Sequence, residues 1–265
     1  MRVLSHGLTL AALLALTVFA QNAEREMTCD GGSDGDLVSH CEINEMTIAG
    51  MSHVWVDGGL NGGMTIKGAA RQDILVRARV QTSAETEGEA QSIARQIVIH
   101  TGGGRIIADG PARERKQNWS VSYEIFVPQT MDLTLKAHNG GIRISDVRGE
   151  IEFEALNGGV SLARLAGNVH GHTTNGGLSV VLAGPRREGG QLDASTVDGG
   201  VSVAVPDNYS ARLETATVNG HIRVDFPVTV RGEIDRQLSI DLGSGGPLVR
   251  AVTTNGGVSI KRKEG

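Results

Sequence analysis

Aromatic side chains are scarce in this 265-residue chain, where Phe, Trp and Tyr together make up 3% of the residues. A core built from large rings is therefore excluded, although rings dominate the cores of many domains. Val, Ile, Leu, Ala and Thr remain to fill the interior. This composition indicates a narrow interior with many tight bends.

The chain also lacks an excess of basic residues. Its formal net charge is -5, and no long run of Lys or Arg occurs. Nucleic-acid binding is not expected, because it requires a basic patch or stripe.

Long hydrophobic runs are missing as well. The longest, Leu8 to Phe19, is well short of the roughly 18 residues that a spanning helix needs. Arg2 precedes it, and the small-residue site Val18-Phe19-Ala20 lies at its end. These flanks predict a cleaved secretory signal peptide over residues 1–20, with a membrane anchor as the alternative. No later segment is predicted to span a membrane, and Gln21 after the cut gives no lipid-attachment site.

Cysteine occurs only twice, as Cys29 and Cys41. In an exported protein such a pair predicts a disulfide. Closing this short loop would contribute about 2–3 kcal/mol on the chain-entropy model. A metal or redox pair is the weaker alternative, because the spacing is not C-x-x-C.

Between the cysteines, Asp and Gly alternate from Asp30 to Asp36 in a pattern similar to calcium loops. Gly32 and Cys41 stand where an EF-hand loop has ligands. A solvated acidic turn is therefore favoured over a calcium site, and no metal or cofactor is expected.

Glycine is abundant, with 37 residues, and it is periodic. An Asn-Gly-Gly marker begins at Asn139, Asn157 and Asn175, at spacings of 18. Related markers begin at Asp198, Asn219 and Asn255, at spacings of 23, 21 and 36. Because 36 is twice 18, one copy is expected to be degenerate, with Ser244-Gly245-Gly246 as the candidate. An outlying copy is Asn61-Gly62-Gly63.

Residues around each marker alternate with a period of two, which is typical of strands with one buried face. An antiparallel meander and a β-solenoid could both use Asn-Gly bends. A fixed period with equivalent side chains favours an all-β solenoid of about 18-residue rungs that rise about 4.8 Å each. The markers would then stack into one ladder, formed by Asn139, Asn157, Asn175, Asp198, Asn219 and Asn255.

The predicted organisation has four parts. Residues 1–20 form the signal peptide, and 21–44 a segment with the disulfide. Residues 45–130 form an N-terminal β region, and 131–265 the repeat solenoid. The β region contains one helix, indicated by Ala90, Ile93, Ala94 and Ile97 and by a capping box from Thr86 to Glu89. We expect this helix to cap the solenoid.

From about Cys29 onward the chain resembles the bacterial putative-adhesin family, whose members are uncharacterised β-strand-repeat proteins. The resemblance is carried by the stretches Cys41-Glu42, Trp119 to Pro128, Thr173 to Gly177, Val224 to Val230 and Thr253 to Gly257. It implies an exported β-solenoid and no catalytic residue. Asp198 in place of Asn and His221 in place of the second Gly depart from the repeat pattern.

If the chain carries out any chemistry, its outward-facing positions are the place to look for it. Five residues before each marker stand Thr134, Glu152, His170, Asp193 and Glu214, and three before stand Lys136, Glu154, His172 and Ser195. Stacked Glu152, His170 and Asp193 suggest a glycosidase-like carboxylate pair, or a metal site with His172. A plain solvated strand face explains the same pattern and is favoured.

The sequence therefore predicts an exported, periplasmic or extracellular, non-catalytic β-repeat protein of the cell envelope. Its partner would be a protein or a glycan, bound on a face that includes Glu152, His170, His172, Asp193 and Glu214. Copies of the chain could also associate through the solenoid ends. A carbohydrate-active enzyme is the alternative.

Overall fold

The computed structural model describes residues 27–29, 36–227 and 236–263. Within them the protein is all-β, apart from the α-helix α1 (Glu87–Ala94) and a three-residue 3-10 turn at Gly102–Gly104. The strands form two ten-stranded sheets. The signal peptide and most of the acidic turn at 30–36 lie outside the described residues.

The first sheet has the strand order β1-β4-β7-β3-β9-β11-β13-β15-β20-β17. Its strands are β1 (Val38–Ile48), β3 (Met64–Ala69), β4 (Ile74–Ala84), β7 (Asn118–Pro128), β9 (Ile142–Ser145), β11 (Val160–Ala163), β13 (Leu178–Val181), β15 (Val201–Val205), β17 (Ile222–Val224) and β20 (Val258–Arg262).

The second sheet has the strand order β18-β16-β19-β14-β12-β10-β8-β2-β6-β5. Its strands are β2 (His53–Asp57), β5 (Val98–His100), β6 (Arg105–Asp109), β8 (Asp132–Asn139), β10 (Arg148–Asn157), β12 (Ala166–Asn175), β14 (Leu192–Asp198), β16 (Ala211–Asn219), β18 (Gln237–Leu242) and β19 (Leu248–Asn255).

Each repeat supplies one strand to each sheet, and equivalent strands pair in parallel. Ile151 of β10, for example, pairs with Leu133 of β8 and with Val169 of β12, an offset of 18 residues on either side. Parallel pairing at the repeat spacing rules out an antiparallel meander for the repeats. The Asn-Gly-Gly markers lie at the bends between the two sheets.

The stacking order of the repeats differs from their chain order at one end of the array. The last repeat, β19 with β20, is inserted between β14/β15 and β16/β17. The outlying Asn61 copy forms the first rung, since β2 and β3 pair with β8 and β9. Ser244-Gly245-Gly246 is not a degenerate rung, because it lies in the turn between the antiparallel strand β18 and β19.

Strands outside the repeat extend both sheets at the first-rung end. β7, β4 and β1 lie beyond β3, and β6 and β5 lie beyond β2. Helix α1 leads from β4 to β5 and packs Ala90 and Ile93 against Ala84, with Ile97 and Trp119 alongside. Its predicted capping box is confirmed, with Thr86 Oγ1 accepting from the Glu89 backbone N–H and the Glu89 carboxylate accepting from that of Thr86.

The interior is made of in-register rows of side chains. One row is entirely aliphatic and entirely buried, and it consists of Leu133, Ile151, Val169, Leu192, Val249 and Leu213. Among the second-sheet strands β8, β10, β12, β14, β16 and β19, Phe153 is the one aromatic residue, and Gly171 lies in register with it on the next rung. A Cβ at Gly171 would lie 2.6 Å from the Phe153 ring. On this side of Phe153, the ring therefore fits beside a rung position that has no side chain.

The two glycines of a marker have different roles. A Cβ on the first glycine would collide with the backbone of the adjacent rung, at 2.2 Å from Gly140 O for Gly158 and 2.4 Å from Gly158 O for Gly176. At the second glycine the nearest atom is farther away, 3.5 Å for Gly177 and Gly200. His221 occupies this second position in the repeat of β16 and β17, and its neighbours remain in register.

No helix in the described part of the chain has both the length and the hydropathy of a membrane span.

Candidate functional site

The predicted polar column lies on the outer face of the second sheet. Glu152 pairs in register with His170, and His170 with Asp193. Glu214 does not follow Asp193, because the inserted strand β19 places Arg250 between them. Arg250 Nη1 donates to Asp193 Oδ1 at 2.7 Å. The order of the repeats in the sequence therefore did not predict that Arg250 would pair with the Asp193 carboxylate.

The geometry of this column does not resemble a hydrolytic pair. Glu152 and Asp193 are two strands apart, so their backbones are separated by about 10 Å. A retaining pair needs carboxyl groups about 5–5.5 Å apart. Glu152 and His170 are exposed on the sheet, and the Asp193 carboxylate is held by Arg250.

The neighbouring column is also a solvated face. Lys136 Nζ lies 3.2 Å from Glu154 Oε2, and His172 follows on the next strand in an exposed position. Among the described residues, no three His, Cys, Asp or Glu side chains converge in a way that could hold a metal ion. His170 and His172 point from the same strand without a third ligand.

The marker residues lie along one bend as a row of hydrogen-bonded side chains. In spatial order they are Asn61, Asn139, Asn157, Asn175, Asp198, Asn255 and Asn219. Each amide Nδ2 donates to the Oδ1 of the preceding rung, at 2.8 Å from Asn157 to Asn139 and 2.6 Å from Asn255 to Asp198. Asp198 has no N–H to give, so the chain of donors is interrupted between it and Asn175. The amide donors of this row are therefore occupied by hydrogen bonds within the row.

Buried threonines form a second row next to the markers. Thr173 Oγ1 donates to Gly158 O and Thr196 Oγ1 to Gly176 O, both at 2.7 Å. Thr253 and Thr217 make the equivalent bonds to Gly199 and Gly256. Because each hydroxyl is buried and bonded to a backbone carbonyl, none of them is placed to act as a nucleophile.

The two cysteines are joined. Cys29 and Cys41 form a disulfide with a Cα–Cα distance of 5.7 Å, within the usual range. It attaches the segment 27–29 to β1, and Arg79 Nη1 donates to Thr28 O at 3.4 Å. The segment therefore lies over the outer face of the first sheet.

Sequence reasoning overlooked the outer face of the first sheet. The fourth residue after each marker points outward there, and in spatial order the row reads Thr65, Arg143, Ser161, Ser179, Ser202, Ser259 and Arg223. We call the six residues from Arg143 to Arg223 the serine row. The recurrence of Ser or Arg four residues after most markers was visible in the sequence. Only the insertion of β20 makes the four serines contiguous and puts arginine at each end.

The serine row lies along a shallow groove made of two cavities. One, of about 800 Å³, extends over Gly141, Gly159 and Ser161 toward Lys67 and Arg79. The other, of about 820 Å³, extends over Gly200, Ser202 and Ser259 to His221 and Arg223. Both include Gly177, so they are two halves of one surface, which we call the first-sheet groove.

Charged side chains close one end of this groove. Glu124 is 6% exposed and accepts from Lys67 Nζ at 3.0 Å and from Arg77 Nη1 at 3.4 Å. Lys67 and Arg77 also lie over the Phe126 ring, each 5.3 Å from its centroid. A hydrogen bond to Glu45 raises the pKa of Arg77 above its usual range. These groups therefore pair with one another at this end of the groove.

Comparison with known proteins gives a family but no function. The model of the Toastrack DUF4097 family matches residues 81–261. No curated protein sequence matches the chain.

Several solved structures are similar in outline. A putative cell adhesion protein from Clostridium sporogenes shares 14% identity, with a TM-score of 0.45 over 85% of this chain and 100% of that one. A putative lipid binding protein from Parabacteroides distasonis shares 10% identity, with a TM-score of 0.34 over 84% and 97%. A putative adhesin from Bacteroides fragilis also shares 10% identity, with a TM-score of 0.33 over 84% and 97%. At such values the names of these proteins say nothing of what this chain binds.

Proposed function

The chain belongs to the Toastrack DUF4097 family, as its resemblance to β-strand-repeat proteins indicated, and on that premise we propose that it is an exported, non-catalytic interaction module of the cell envelope. In this proposal the two sheets form a β-solenoid whose long outer faces bind a protein or a glycan. The observation that carries it is the in-register stack itself, which repeats identical surface positions along the molecule.

A stacked scaffold of this kind suits binding more than chemistry. Its surface rows are held by the ladder bonds at every bend, such as those from Asn157 and Asn175. Rigid rows at a fixed spacing reduce the entropy lost when an extended partner binds. The disulfide between Cys29 and Cys41 supports an oxidising compartment, the periplasm or the cell exterior.

The enzymatic alternative receives little support. The carboxylates of Glu152 and Asp193 are on strands separated by β12, and Arg250 engages Asp193. A panel of envelope glycans is the direct test. We expect no turnover by the wild-type protein. Turnover that disappears in Glu152→Ala and Asp193→Ala variants would contradict the proposal.

Localisation is tested by fractionating cells that express the full chain. We expect the protein outside the cytoplasm, with residues 1–20 removed and with Cys29 and Cys41 resistant to alkylation until a reductant is added. Recovery from the cytoplasm with two reactive thiols would overturn the export proposal. Cross-linking on intact cells then identifies the partner.

A further inference from the structure

The distribution of charge sets the first-sheet groove apart from the rest of the surface. None of the six strands β9, β11, β13, β15, β20 and β17 contains an Asp or a Glu. They carry Arg143, Arg223 and Lys261 outward. The chain as a whole has a net charge of -5. A cationic surface on an acidic protein favours an anionic partner at that surface.

The three cations that point outward from these six strands are also unpaired, whereas Lys67 at the end of the groove is paired with Glu124. Within the described residues, Arg143, Arg223 and Lys261 have no carboxylate within ion-pair distance and no hydrogen-bond acceptor. On the repeat strands of the second sheet, every Lys and Arg is paired: Lys136 with Glu154, Arg148 with Glu188, Arg212 with Glu214 and Arg250 with Asp193. The outer faces of the two sheets are built from the same backbone repeat. The difference in ion pairing between them therefore comes from their side chains.

The spacing of the serine row defines the shape of an acceptable partner. Ser161, Ser179, Ser202 and Ser259 follow one another at the strand spacing of about 4.8 Å, and Arg143 and Arg223 are about 24 Å apart. Each serine hydroxyl can donate and accept, and none of the four has a side-chain hydrogen bond among the described residues. The row therefore repeats a hydroxyl-binding position at nearly the rise of one ring in an extended β-linked pyranose chain.

The residues beside the serine row are small, so a partner could approach the backbone of the first sheet closely. The second marker glycines, including Gly159, Gly177 and Gly200, lie beside the serine row and have no side chain. On the other side of the row are Ala163, Val181 and Ala204, which offer a low apolar surface. The groove has no aromatic side chain along these strands, so it lacks the stacking platforms on which single-stranded nucleic acid depends.

We propose that the first-sheet groove binds an extended acidic polysaccharide, with the serine row hydrogen-bonding successive sugar hydroxyls and Arg143, Arg223 and Lys261 pairing with its carboxylates. This assignment rests on the proposed function, because it names the class of ligand for an envelope interaction module. Arginine at the two ends sets the register of the carboxylates, since its fork of donors binds a carboxylate with two parallel bonds.

The test is calorimetric titration of the full chain with three probes. They are an oligo-β-mannuronate long enough to span the groove, a neutral β-mannan oligomer of the same length, and inorganic polyphosphate. We expect the mannuronate to bind, with an affinity that falls as salt is raised. The neutral oligomer and polyphosphate should bind at least tenfold more weakly, because each lacks one half of the recognition chemistry.

Variants locate the binding. Arg143→Gln with Arg223→Gln should weaken mannuronate binding about tenfold for each arginine, and Ser179→Ala with Ser202→Ala should weaken it several-fold. A matched control is Arg115→Gln with Arg186→Gln, two exposed arginines outside the groove. It removes the same charge and should change the affinity less than twofold. Unchanged melting curves verify that every variant is folded.

Several outcomes would overturn the assignment. They are no binding of the mannuronate, equal binding of polyphosphate, equal losses in the control pair, or unchanged affinity in the serine variant. Failure of the ligand assignment is separable from failure of the proposed function. If the protein is disulfide-bonded and lies outside the cytoplasm but does not bind the mannuronate, only the ligand assignment is contradicted. If the protein is found reduced in the cytoplasm, the proposed envelope function is contradicted, whatever the result of the titration.

Discussion

At the scale of single residues, the marker is three positions under three different constraints. The Asn side chain bonds along the stack, as Asn157 does to Asn139. The first glycine is required because adjacent rungs approach too closely for a Cβ. The second glycine is less constrained, which explains why His221 is accepted there. The three positions of the Asn-Gly-Gly marker therefore differ in how well they tolerate substitution, although they recur together as one motif.

The unequal constraints on the two glycines predict losses of stability of very different size for two Gly→Ala substitutions. In Gly158→Ala the new Cβ would meet Gly140 O at 2.2 Å, so we expect a loss of about 3 kcal/mol or more, or failure to fold. In Gly200→Ala the nearest atom is at 3.5 Å, so the change should be under about 1 kcal/mol. Urea unfolding of both variants measures the difference. Equal losses would mean that backbone contact is not what selects the first glycine.

The acidic rung gives a second prediction at this scale. Asp198 accepts from Asn255 but cannot donate to Asn175, its partner in register on the previous strand. Asp198→Asn supplies that donor and should stabilise the protein by about 0.5–1.5 kcal/mol, as one added hydrogen bond does. The converse variant, Asn157→Asp, removes a donor and should destabilise by a similar amount. Thermal unfolding at neutral pH measures both, and a shift of the same sign in the two variants would contradict the ladder account.

At the scale of elements, the insertion that lengthens the interval between Asn175 and Asp198 is held by one arginine. Residues 185–190 form an insertion that accounts for the spacing of 23 between Asn175 and Asp198. In the structure Arg187 is 3% exposed, and its guanidinium donates to Leu165 O and Gly167 O, both at 2.5 Å. Burial lowers the pKa of Arg187, although its ordinary value is so high that the group remains charged. The insertion is therefore fastened to the bend of the preceding rung.

The adjacent arginines allow a matched test of this contact. Arg187→Met removes the donors and leaves buried carbonyls unpaired, so we expect a loss of about 2–4 kcal/mol in unfolding free energy. Arg186→Met changes the same residue type at an exposed position and should have an effect within about 0.5 kcal/mol. Limited proteolysis at 183–191 should accelerate only in the first variant. Similar unfolding curves for the two would show that the buried contacts are not stabilising.

At the scale of the whole molecule, the decisive feature is the inserted rung. Strands β19 and β20 come last in the described chain but lie inside the stack, between β14/β15 and β16/β17. The rung supplies buried Val249, Ala251, Val258 and Ile260 to the interior. It also supplies Arg250 to one face and Ser259 to the other. Both surfaces therefore depend on a single non-sequential step in the topology.

A truncation tests this topology. Ending the chain at residue 245 removes an internal layer, so we expect the cooperative unfolding transition to be lost, since each rung contacts mainly its neighbours. In a stack that followed chain order, the same deletion would only trim an end and leave the remaining rungs folded. A truncated protein that melts cooperatively within about 1 kcal/mol of the full chain would contradict the observed strand order.

The sequence by itself determined the period, the strands, the bends and the disulfide pair. Each depends on local residue types, on a spacing of two within strands, or on a spacing of 18 between copies. It could not determine which copies are neighbours, because identical markers stack equally well in any order and the choice is made by the packing of distant strands. That choice set Arg250 beside Asp193 and joined four serines into one row between two arginines. The surfaces of this protein are therefore products of its tertiary structure.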